Sequence, residues 1–162
     1  MKSLSNLMAV GCLLAWGFVC RAETLDLNQF RNDIVNNKVV KAKIIYLPYS
    51  VESFMSITPE MLNKLPNTTV ATVHVAGGLK ASFLKAIENT TATSGEFNCD
   101  MRWGAIFYDT KNNQCHSIYI DRRFVNRSAN YGFIDGRNVS VNGALIDWFE
   151  SNFMPKKTSV KT

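Results

Sequence analysis

Hydrophobic positions recur along the chain with two different periods. Leu27, Phe30 and Ile34 follow Asp26 at helical spacing, and Gln29 stands three residues after that aspartate as in a capping box, so a helix is predicted from about Asp26 to Val35. Val39 to Leu47 is rich in β-branched and aromatic residues and stops at Pro48, which reads as a strand with Lys41 and Lys43 on one face. Thr58-Pro59-Glu60 places an N-cap, a first-turn proline and an early carboxylate in order, and Pro66 ends the one or two turns they start. Thr68 to Ala76 reads as a second strand. Gly77-Gly78 then turns the chain into a helix in which Leu79, Phe83 and Ile87 recur every fourth residue.

The second half changes to period two. Arg102 to Tyr108 and Gln114 to Asp121 are strand-like runs joined by a polar loop of hairpin length, Asp109 to Asn113. If Tyr108 faces Gln114, simple alternation sets Phe107, Ala105 and Trp103 against Cys115, Ser117 and Tyr119. Asp135-Gly136, between Tyr131 to Ile134 and Arg137 to Val141, is the strongest turn signal and predicts a tight hairpin. From Ala144 to Phe153, Leu145, Trp148, Phe149 and Phe153 share one side, which predicts a core-packing helix ended by Pro155. Residues 89–96 are the most loop-like stretch. Runs of strands with helices set around them indicate the α+β class: an antiparallel or mixed sheet of about four to six strands packed against three or four helices.

Residues 1–22 carry a different pattern. Lys2 precedes an uncharged apolar run from Leu7 to Val19, and Cys20-Arg21-Ala22 ends with small residues at the outer positions, which is the form of a secretory signal cleaved after Ala22. That run is short of the roughly 20 residues needed to span a bilayer, and no later segment approaches that length without charges. The organisation expected is therefore a signal at 1–22, one α+β domain at 23–154 and a basic tail at 155–162. Export would place the chain in a periplasm or outside the cell.

Removing residues 1–22 takes away Lys2 and Arg21 but no acid, so the formal charge falls from +5 to +3, weak for a nucleic-acid binder. Of four cysteines only Cys99 and Cys115 stay, and in an oxidising compartment such a pair is expected to form a disulfide. Loop closure of that size is worth about 3 kcal/mol in the chain-entropy treatment. With no CxxC or Cys/His cluster, no metal site and no cofactor are expected.

The chemistry-bearing residues are few. His116 and His74 are the only histidines, and Asp109, Asp121 and Asp135 are the acids nearest His116 in sequence, so the weak catalytic candidates are His116, His74 and Asp121. Gly77-Gly78 with Lys80 has the outline of an anion-binding turn without the longer glycine pattern of nucleotide loops. Arg122, Arg123, Arg127 and Arg137, interleaved with Phe124 and Tyr131, form the densest basic patch and the candidate binding surface. These readings favour a small exported non-catalytic module, of inhibitor, immunity or accessory type, whose partner is another protein. The alternatives are a small secreted hydrolase using a histidine with an aspartate, and a toxin component or host-directed effector.

Overall fold

The structure is a computed structural model and describes residues 23–121 and 129–154; the predicted signal at 1–22 and tail at 155–162 lie outside the described residues. Among the described residues eleven elements follow one another: α1 (Asn28–Val35), β1 (Lys41–Tyr46), α2 (Pro59–Lys64), β2 (Thr69–His74), α3 (Gly77–Glu88), β3 (Ala92–Ser94), β4 (Met101–Tyr108), β5 (Gln114–Asp121), β6 (Asn130–Ile134), β7 (Arg137–Val141) and α4 (Ala144–Phe153). The strands form one sheet of order β2-β1-β4-β5-β6-β7-β3 in which every neighbouring pair is antiparallel. The α+β expectation holds, with seven strands among the described residues rather than four to six. Part of the excess is β3, which lies inside the loop-like stretch 89–96 and earns its strand conformation by pairing with β7.

Alternation along the strands distributes the core over both faces of the sheet. Ala42, Ile44 and Tyr46 of β1, with Trp103, Ala105 and Phe107 of β4, pack under α1, α3 and α4. Phe83 of α3 stacks on Phe107 at 5.0 Å, and Trp103 stacks on Tyr46 at 4.2 Å and Phe149 at 5.4 Å. On the other face Ile45, Leu47, Met101, Ile106 and Tyr119 pack against Ile57 and Leu62. Thr58 caps α2 as its sequence foretells, its Oγ1 accepting the Met61 N–H at 3.3 Å. Asp26 and Gln29 form no capping box: Asp26 accepts the Asn28 N–H, while Gln29 donates forward to Asp33.

The β6–β7 turn places Asp135 at φ 48° and Gly136 at φ 76°, the two left-handed positions of a tight hairpin. In the middle of β6, a Cβ on Gly132 would lie 2.0 Å from the Tyr119 carbonyl oxygen, so the close pairing of β5 with β6 requires glycine there. The N-terminal segment extends the β3 edge: Leu25 N–H donates to the Ala92 carbonyl, Ser94 N–H to the Glu23 carbonyl, and Thr24 bridges Thr93.

The β4–β5 hairpin starts in the predicted register, Tyr108 opposite Gln114, and then departs from it. A bulge absorbs Cys115, so Phe107 pairs with His116, Ala105 with Ile118 and Trp103 with Ile120. A second irregularity sits at Arg102, between the Met101–Asp121 and Trp103–Ile120 pairs. This register overturns the expected disulfide. Cys99 precedes β4 at its Met101 end, whereas Cys115 belongs to the opposite end beside Gln114 and Tyr108. Seven residues of strand, about 23 Å, separate those ends, and a bridge needs Cα atoms within about 7 Å. No disulfide joins them: Cys99 is buried and Cys115 exposed.

Candidate functional site

A cluster of titratable groups joins three distant parts of the chain at His116. Its Nδ1 lies 2.7 Å from Asp135 Oδ2 at the β6–β7 turn, and its Nε2 lies 3.2 Å from Asp33 Oδ2 on α1. The ring is stacked on Phe30 at 4.2 Å and is only 9% exposed. Asp135 also accepts the Ser117 N–H at 2.7 Å, and Asp33 accepts from Gln29 while its other oxygen pairs with Lys38 at 2.9 Å. The bulge at Cys115 sets the strand phase that places His116, rather than its neighbour, between these carboxylates.

Electrostatics follow from that geometry. The Lys38 ammonium is the largest influence on Asp33; together with the Gln29 and His116 hydrogen bonds it overcomes the opposing effect of burial and holds the carboxyl at about 2. Burial alone would lower the pKa of His116, but the hydrogen bonds its ring makes to the Asp135 and Asp33 carboxylates outweigh it and the pKa is raised. A carboxylate at each ring nitrogen is satisfied only by the doubly protonated imidazolium; either neutral tautomer would turn a lone pair toward a carboxylate. An imidazolium with both N–H groups engaged has no lone pair with which to take a proton. What this arrangement does is tie α1 to the sheet. A cleft of about 230 Å³ opens beside it, with Asp26, Gln29 and Arg137 among its walls.

Of the other catalytic candidates, neither His74 nor Asp121 joins His116. His74 ends β2, opposite Lys41 on the edge of the sheet. Asp121 lies five residues along β5 from His116, and accepts the Tyr131 N–H at 3.0 Å and the Asn130 side chain at 3.4 Å. Asp109 closes its own hairpin by accepting from Lys111 N–H and Asn113 N–H. Of the arginine patch, Arg122, Arg123 and Arg127 lie outside the described residues, and Arg137 is exposed at the turn. Lys80 donates to the Val35 carbonyl and to Asn37, fastening α1 to α3. Among the described residues no group of three or more His, Cys, Asp or Glu side chains is placed to hold a metal ion.

A second feature was invisible to periodicity. Between β1 and α2 the chain makes a non-regular loop whose tip carries Phe54, with a relative exposure of 112%, and Met55, also exposed. Its base is tied to residues 98–102. Arg102, brought beneath the loop at the β4 bulge and only 1% exposed, donates from Nη1 to the Val51 carbonyl at 3.0 Å and from Nη2 to Asp100 at 2.7 Å. Asp100 Oδ1 accepts the Ile57 N–H at 3.2 Å, and Met101 N–H donates to the Ile57 carbonyl at 2.9 Å. The sequence sign is two adjacent large apolar residues, Phe54 and Met55, flanked directly by Ser53 and Ser56.

Fold and site together define an α+β protein on one antiparallel sheet, bearing an interlocked charge cluster at one place and an anchored apolar loop at another. Comparison with known protein families, with curated proteins and with solved structures returns no match.

Proposed function

We propose that the chain is a small exported, non-catalytic module that binds another protein, of the inhibitor, immunity or accessory kind, acting in a periplasm or outside the cell once residues 1–22 are removed. The observation that carries this reading is the Phe54–Met55 tip. A phenylalanine left wholly in water forgoes about 1.5 to 3 kcal/mol of burial, which a partner's pocket would recover. Anchoring of the loop at both flanks limits the conformational entropy that binding would cost. The hydrolase reading loses support because its best candidate base, His116, has both nitrogens engaged.

The test is a photo-crosslinking amino acid placed at position 54 and, as a control, at Thr72 on β2, with irradiation in the native cell envelope. A discrete adduct at position 54, absent at position 72, is the expected result. Equal, diffuse labelling at both positions would overturn the reading.

A further inference from the structure

We propose that the loop from Val51 to Ile57 is a substrate-like loop that occupies the active-site cleft of an endopeptidase with an apolar primary pocket, Phe54 filling that pocket. This rests on the protein-binding reading above and names the partner's chemistry. An endopeptidase takes its substrate as non-helical chain with one side chain buried in a specificity pocket. Residues 51–57 belong to no helix or strand, and their most prominent side chain is an aromatic ring standing free of the fold.

The flanks supply what separates an inhibitor from a substrate. On the N-terminal side Val51 is held by Arg102, and on the C-terminal side Ile57 is held by Asp100 and Met101, while Ser56 Oγ donates to Asn98 at 3.2 Å. Arg102 and Asp100 are themselves paired, so both sides of the tip are fastened to one short, well-packed segment. Hydrolysis of the Phe54–Met55 peptide bond consumes one water and leaves a carboxylate on Phe54 and an ammonium on Met55. Those new ends stay within three residues of their anchors. They remain in the cleft, where condensation, releasing the same water, competes with departure. Between these anchors Ser53 Oγ donates to the Met55 carbonyl at 2.6 Å, across the bond in question.

Charge selects a protein rather than a lipid surface. From Pro48 to Asn63 the chain carries Glu52 and Glu60 and no lysine or arginine. Two apolar side chains flanked by carboxylates are poorly matched to an anionic membrane, which recruits basic segments.

The experiment measures inhibition of a serine endopeptidase of chymotrypsin specificity on a small chromogenic substrate, using the purified chain and following its intact mass. Competitive inhibition is expected, weakened about thirty- to a hundredfold by Phe54→Ala, the loss of one buried aromatic side chain. Phe54→Lys should transfer inhibition to an endopeptidase of trypsin specificity, whose pocket is acidic. Since Phe54 stands outside the core, both variants should melt with the parent, and thermal unfolding verifies it. Rapid complete cleavage after Phe54, absence of inhibition, or inhibition indifferent to Phe54→Ala each overturns the proposal. If inhibition fails while the position-54 cross-link persists, the binding module stands and only the peptidase falls; if the cross-link is also missing, both fall.

Discussion

Replacing Asp33 by Asn keeps the size of the side chain and one acceptor oxygen, and removes one charge from the Asp33–His116–Asp135 cluster. The carboxyl is held at about 2 against an ordinary 3.8, a difference equivalent to about 2.4 kcal/mol. Asp33 is 14% exposed but Lys38, its strongest partner, is 63% exposed and screened by water, so a loss of about 1 to 2 kcal/mol is expected. The dependence on pH has two arms. Asp33 has a depressed pKa, so its contribution is present above 3.8 and disappears as pH falls through about 2. His116 has a raised pKa, so its contribution is full below 6.5 and is lost as pH rises through its higher folded value. Urea unfolding of the parent and Asp33→Asn from pH 2 to 9 should therefore give a stability gap that is widest between about pH 4 and 6.5 and narrows on both sides. A gap of constant size across that range would refute the ion-tie account.

Two further outcomes follow from the packing. In the native protein an alkylating reagent should modify Cys115 and spare Cys99 until the chain is unfolded, and reduction should leave the intact mass unchanged; a two-hydrogen gain on reduction would contradict the separation of the two cysteines. Gly132→Ala should destabilise by more than about 3 kcal/mol or prevent folding, because its methyl would collide with the Tyr119 backbone, whereas Gly78→Ala on the open side of α3 should be neutral or stabilise by about 0.5 to 1 kcal/mol, both read from thermal melts.

Features encoded locally were readable in the sequence. The Thr58 cap, the Asp135-Gly136 turn and the amphipathic α4 each depend on residues within a few positions of one another, and they stand where the pattern places them. Features that depend on strand phase or long-range pairing were not. Alternation cannot foresee a bulge, so the phase change at Cys115 moved the pairs from Phe107 to Trp103 by one residue, until the irregularity at Arg102 restored the original register at Met101–Asp121. The disulfide expectation failed for a related reason: redox compartment says which cysteines could bridge, while sheet register decides how far apart they stand. His116 was recognisable as a candidate and Asp135 as one of its nearby acids, yet Asp33 is 83 residues away in sequence and reaches the ring only because α1 packs across the sheet. The anchored loop was hidden because its organising residue, Arg102, read as an ordinary strand position until a bulge put its guanidinium beneath Val51.

The two borders of the sheet are unlike each other. At β3 the backbone of residues 23–25 pairs along the margin, whereas among the described residues no strand lies on the outer side of β2. β2 therefore presents the longer row, six residues, to a neighbour's strand. Pairing of β2 with β2 of a second copy would be isologous and would close as a two-fold pair.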